Sequence, residues 1–275
     1  MGTVHGLRGG TPGATRVIAL HGWLDNAASF VPLATHLRDI ELVIPDLPGH
    51  GRSVHIGPGA EYTSAVAVNA VLDLADALGW SEFAVLGHSM GAGIGSLLAA
   101  SSPQRVTRFV AIEALGGLSE TVERTAARWQ EAIAAARALP GKRLRRFPDL
   151  AAPIRARMQA NQLSEANARL LVERGVRETD EGHVWSSDQR LTLPTPQRLD
   201  EAQIAALVAS IHCPVRVIYA APAQSYFPEP LRSERARMLP QGELIILPGT
   251  HHLHMEDPAA VAQAIGDFFG PTAIA

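Results

Sequence analysis

The chain has 275 residues, 47% of them hydrophobic, enough to bury a sizeable core in one large domain or two small ones. Its formal net charge of −3 argues against a broad basic surface of the kind that holds nucleic acid. One cysteine, Cys213, excludes an internal disulfide; it precedes a proline and an apolar run, reads as a buried structural thiol, and fits a reducing compartment.

The opening residues carry no signal-peptide pattern, and no run approaches the roughly 18 apolar residues of a membrane span. The expectation is a soluble, cytoplasmic protein without membrane or nucleic-acid partners. Short β-branched runs then alternate with helical segments. Residues 16–20 read as a strand, 29–37 as a helix and 41–44 as a strand. Residues 63–78 follow as a helix, because Val66, Ala70, Leu74 and Leu78 recur every four positions. A strand at 83–86 runs into a small-residue helix at 90–101, and 106–112 is another strand. After a long interruption, 215–220 and 243–247 are strands separated by a helix near 229–238, and a last helix covers about 257–269. Repeated strand–helix alternation implies an α/β fold: a mostly parallel, doubly wound sheet covered on both faces.

The rhythm breaks between about residues 118 and 195. This stretch reads as helices at 120–138, 152–160 and 164–174, then a short hairpin around Asp180-Glu181-Gly182. The predicted organisation is a core of 1–117 and 196–275 carrying a helical cap at 118–195. Such a lid would sit over the carboxyl ends of the strands, where open α/β sheets place ligands. The basic run Lys142-Arg143-Leu144-Arg145-Arg146 reads as a solvated lid face, with attraction of acidic substrates as the alternative.

The most informative stretch is Gly87-His88-Ser89-Met90-Gly91, placed between a predicted strand and a predicted helix. Glycines there permit a sharp turn that lifts the Ser89 hydroxyl to a helix N-terminus, where developing negative charge is favoured. A serine nucleophile also needs a base, an acid and oxyanion donors. His251, His252 and His254 follow the last predicted strand, on a loop able to reach Ser89. Three histidines in four residues raise a metal reading, but no matching cluster of Cys, His or carboxylates in the sequence supports it. The oxyanion donors are expected to be the backbone N–H groups of Met90 and of Trp23, the latter in the turn after the first strand. The Trp23 indole either walls an acyl pocket or packs in the core. His88 is expected to pack beside the turn, and Asp25 and Asn26 to hold the Trp23 turn in shape. Asp46 and the loop through His50 and Arg52 read as turn architecture.

Taken together, these residues resemble the α/β-hydrolase-fold superfamily. The resemblance rests on His21-Gly22-Trp23-Leu24-Asp25-Asn26, Asp46-Leu47-Pro48-Gly49-His50-Gly51-Arg52-Ser53, Gly87-His88-Ser89-Met90-Gly91 and Gly249-Thr250-His251. The longer first string, with Ile112-Glu113-Ala114-Leu115-Gly116, is similar to the serine-hydrolase-like subgroup. Aligning Leu253-His254-Met255-Glu256-Asp257-Pro258 with the family's ending leaves His251 in the catalytic place. Many family members carry the acid after the strand corresponding to 215–220, in a Gly-x-x-Asp pattern. This chain departs from that pattern and reads Ala221-Pro222-Ala223-Gln224. The acid is therefore expected at Glu113, after the preceding strand, a placement resembling some haloalkane dehalogenases. The resemblance implies a carboxylesterase-type serine hydrolase with a Ser89–His251–Glu113 triad and a small-molecule ester substrate, needing no cofactor or metal. Thioester, lactone or carbon–carbon hydrolysis and peracid formation use the same triad. A hydrolase-fold binding protein with vestigial turnover is the alternative from another class.

Overall fold

The computed structural model describes residues 2–141 and 144–270. Its central sheet has seven strands: β1 (Gly6–Gly10), β2 (Thr15–Leu20), β3 (Ile40–Pro45), β4 (Phe83–His88), β5 (Val106–Ile112), β9 (Val215–Ala221) and β10 (Gly242–Pro248). The order across the sheet is β1-β3-β2-β4-β5-β9-β10. Every pairing is parallel except β1 with β3.

The interior strands are apolar on both sides because both sides are covered. From β2, Ile18 and Leu20 enter one core while Val17 and Ala19 enter the other; from β4, Phe83 and Val85 part in the same way from Ala84 and Leu86. The first core is closed by helices α2 (Ser64–Ala77), α3 (Met90–Ser101), α7 (Glu201–Ala209) and α8 (Leu231–Arg237). The second is closed by α1 (Val31–Ala34), α9 (Leu253–Glu256) and α10 (Pro258–Ile265). The doubly wound sheet expected from the sequence is what the chain forms.

Between β5 and β9 lie α4 (Thr125–Ala138), α5 (Ala151–Asn161) and α6 (Glu165–Gly175), with a small antiparallel sheet of β6 (Arg146–Phe147), β8 (Gly182–Trp185) and β7 (Val176–Thr179). Ile154, Leu163, Ala168, Leu171 and Val172 form a separate apolar cluster here, joined by Met255 from α9. Polar anchors tie this segment to the core. Arg174 pairs with the fully buried Asp46 at 2.9 Å, and the Trp23 indole N–H donates to the Leu191 carbonyl at 2.9 Å.

Several expectations need correction. The helix expected over 29–37 is a 3-10 turn at Ala27–Phe30 followed by the single turn of α1. Asn26 sets its start, because the side chain accepts the Ala28 N–H. The helix expected to run to 269 stops at Ile265, where Gly266 takes φ 51° and ends it. The strands β1 and β6 and the helix α7 were not expected. In the basic run, Lys142 and Arg143 lie outside the described residues; Arg146 pairs with Glu181, and Arg145 lies over the Phe147 ring at 5.3 Å. Cys213 is only half-buried, and desolvation pushes its thiol up to about 11. No helix among the described residues is long and apolar enough to cross a membrane.

Candidate active site

The sheet register brings Ser89 and Glu113 together. His88 is the register partner of Ile112, and Ile112 that of Ile218, so the residues that follow, Ser89 and Glu113, leave neighbouring strand ends. The Ser89 N–H donates to the Ile112 carbonyl at 2.8 Å, and the Glu113 N–H to the Ile218 carbonyl at 3.0 Å. Ser89 has φ 51° and ψ −117° as it leaves β4 for α3. Glu113 has φ 61° and Leu24, next to Trp23, φ 57°. Non-glycine residues rarely take such angles, and they cluster where function holds the backbone in place. Gly91 is indispensable to the turn, since a Cβ there would lie 1.9 Å from the Leu20 carbonyl oxygen.

His251 bridges the two. Its Nε2 is 2.9 Å from Ser89 Oγ and its Nδ1 is 3.1 Å from Glu113 Oε2. The other Glu113 oxygen accepts the Ala220 N–H at 2.5 Å, which fixes the carboxylate although the residue is only 5% exposed. An acceptor carboxylate at Nδ1 places the ring hydrogen there and leaves Nε2 to accept from the serine. The expected serine, histidine and acid thus form one continuous hydrogen-bonded chain. Gln224, where the usual family acid would stand, instead accepts the Phe227 N–H through its backbone carbonyl at 3.0 Å.

Met90 opens α3, so its N–H has no intrahelical acceptor. Trp23 lies in the turn after β2, where Asp25 N–H donates to the Gly22 carbonyl at 3.2 Å; the residue is 54% exposed, which rules out core packing. Asn26 Nδ2 donates to the Leu171 carbonyl at 2.8 Å, holding this loop as expected. Asp46 also behaves as architecture, accepting N–H bonds from Ala27 and Arg52, while the His50 ring bonds the Pro48 carbonyl.

Beneath the site lies a buried polar cluster. His88 Nε2–H donates to the His251 carbonyl at 2.8 Å, so His88 supports the backbone of the bridging histidine. His252 donates to Asp25 Oδ2 at 3.2 Å, and Arg157 of α5 pairs with Asp25 Oδ1 at 3.1 Å. Burial opposes ionisation of Asp25, but the hydrogen bond and charge of His252, with Arg157, overcome it and hold the carboxyl below its usual range. Burial, reinforced by neighbouring imidazoles, pushes His88 and His254 well below the ordinary histidine value. Asp25, His88 and His252 bring ligand-type atoms within 4.8 Å of one another, a grouping that could hold a metal. The direct His252–Asp25 bond and the Arg157 charge satisfy the carboxylate as an ion-paired cluster. The sequence hid this grouping because its members are separated by more than sixty positions. A cavity of about 360 Å³ lies elsewhere, lined by His55, Leu139, Arg177 and Trp185 among others, with none of the three linked residues in its wall.

A family profile described as the alpha/beta hydrolase fold matches residues 15–189. A serine hydrolase-like protein of Dictyostelium discoideum is 31% identical over 268 residues, spanning 92% of this chain and 74% of the relative. The crystal structure of the hypothetical protein PA1622 from Pseudomonas aeruginosa PAO1 superposes with a TM-score of 0.92 at 38% identity, covering 98% of this chain and 96% of that one. The thioesterase domain from the curacin biosynthetic pathway shares the fold, with a TM-score of 0.82 at 24% identity over 95% of this chain and 94% of the other. With the sheet order and the serine turn, these likenesses place the chain in the alpha/beta hydrolase fold family, within its serine hydrolase-like subgroup.

Proposed function

We propose that the protein hydrolyses carboxylic esters of small molecules through a covalent acyl-enzyme. The observation that carries this reading is the unbroken hydrogen-bonded chain from Ser89 through His251 to Glu113. His251 takes the Ser89 proton as Oγ attacks the ester carbonyl. The Met90 and Trp23 N–H groups hold the tetrahedral oxyanion. His251, now charged and stabilised by Glu113, gives its proton to the departing alkoxide. Water then attacks the acyl-enzyme by the same route and releases the acid. Residues 118–195 act as the cap, tethered beside the Trp23 loop by Arg157, which also bonds the Leu24 carbonyl.

The test is a fluorophosphonate probe with a p-nitrophenyl acetate assay. Labelling confined to Ser89, with turnover abolished in Ser89→Ala, is expected. Folded protein that neither reacts with the probe nor turns over the ester would overturn the reading.

A further inference from the structure

Tyr226 touches the bridging imidazole yet takes no part in the chain of contacts described so far. Its hydroxyl oxygen stands 3.2 Å from His251 Nδ1 and 3.5 Å from Nε2. The two rings meet edge to face at 78°, with centroids 6.0 Å apart. The residue is 54% exposed, so it faces the mouth of the site and not the core. Its placement is built into the loop after β9. The Gln224–Phe227 turn is closed by a backbone hydrogen bond of 3.0 Å. Phe227 is buried against Tyr219, with ring centroids 5.7 Å apart, and the Arg235 guanidinium lies over the Phe227 ring at 5.0 Å. From this turn, beside its anchored neighbour, the Tyr226 ring meets His251.

Counting hydrogens at His251 decides what the phenol can do. Nδ1 carries the ring hydrogen toward Glu113, and Nε2 accepts from Ser89. Both in-plane positions of the imidazole are therefore committed, and the phenol hydrogen has no acceptor there. It is free for an oxygen that arrives beside Nε2. An ester's leaving-group oxygen must lie in that place to receive the His251 proton. Burial, with the Glu113 charge, raises the phenol to about 12, so the O–H is retained throughout the neutral range.

We propose that Tyr226 donates a hydrogen bond to the leaving-group oxygen of the ester and thereby equips the site for alkyl esters, whose leaving groups are strongly basic. The role rests on the ester-hydrolase reading and extends it. In the step concerned, the Ser89 Oγ–carbonyl bond has formed and the carbon–oxygen bond to the leaving group breaks. The proton on His251 Nε2 passes to that oxygen. Tyr226 keeps its own proton and stabilises the developing charge only while it lasts.

A preorganised donor lost from a buried oxyanion site costs about 100-fold or more; at a half-exposed residue water restores part of this, so about 10- to 100-fold is expected. The experiment compares kcat/KM for ethyl butyrate and p-nitrophenyl butyrate, which share an acyl group, in the wild type and Tyr226→Phe. The ethyl ester should lose about 10- to 100-fold and the aryl ester less than about 2-fold, because p-nitrophenolate departs without a proton. Equal loss on both esters would mean that Tyr226 merely orients the imidazole, and no loss on either would mean that it is idle; each overturns the proposal while leaving the ester reading intact. Failure of the wild type to hydrolyse either ester overturns both.

Discussion

Replacing Glu113 by glutamine is expected to leave the protein folded and nearly inactive. The Ala220 N–H, 2.5 Å from one carboxylate oxygen, would keep the amide oxygen in that place and turn the amide NH2 toward His251. Nδ1 would then have to accept, the ring hydrogen would move to Nε2, and Nε2 could no longer take the Ser89 proton. The lost charge adds to the wrong tautomer. A carboxylate 3.1 Å from Nδ1 stabilises an imidazolium by about 5 kcal/mol at an effective dielectric near 20, close to four orders of magnitude in rate. His251 is partly open to water, so about 10³- to 10⁴-fold is the working expectation for kcat. The backbone at φ 61° is as accessible to glutamine as to glutamate, and the melting temperature should move little. Ester turnover and the rate of fluorophosphonate labelling would both be measured, with Gln224→Ala as the companion. A loss below 10-fold in Glu113→Gln, or a larger loss in Gln224→Ala, would refute the assignment of the acid.

Two further outcomes concern stability. Gly91→Ala should destabilise by about 3 kcal/mol or more in equilibrium denaturation, because the added methyl meets backbone of β2 that cannot yield; Gly117→Ala, where a methyl meets nothing within 4 Å, should stay within about 0.5 kcal/mol, and equal effects would refute the argument. Acid should weaken the fold early. Burial, aided by the His21 charge, holds His50 down to about 3, and His88 and His254 are also held low, so each is neutral in the folded chain while its unfolded counterpart gains a proton below about 6.5. Stability is then complete above pH 6.5 and is lost as pH falls; between pH 7 and 5 His50 alone costs about 2 kcal/mol. Urea denaturation with the same free energy at both pH values would sink this account.

What the sequence revealed was set by whether the causes were local. β4 and β5 are legible because strands buried on both faces must be apolar throughout. The elbow is legible because glycines, serine and helix are contiguous. Strand β1, Gly6-Leu7-Arg8-Gly9-Gly10, has no strand propensity of its own and exists through antiparallel pairing with β3. Helix α7 carries a local signal in the sequence, the reciprocal cap between Asp200 and Gln203. His251 could be chosen among three histidines only by likeness to a family. The Asp25–His252–Arg157 cluster and the Tyr226–His251 contact join distant segments and left no spacing to find. Tyr226 had one available clue: it stands in the loop where the family's usual acid is absent.

That absence and the phenol have a common geometric origin. Strands β4, β5, β9 and β10 are consecutive neighbours, about 4.8 Å apart. Ser89 leaves the first of them and His251 follows the last, so a carboxylate ending either β5 or β9 falls between the two and can meet Nδ1. In this chain β5 supplies it, and β9 supplies the amide that holds it, through the Ala220 N–H. The loop after β9 then has no carboxylate to present. A second acid there would crowd Glu113 with like charge near a single imidazole and raise the pKa of one of them. A neutral phenol brings no such cost, and it reaches the same ring from the side open to solvent. Moving the acid one strand toward the serine therefore frees a position from which the chain can address the leaving group, and the Tyr226→Phe comparison of alkyl and aryl esters reads that position directly.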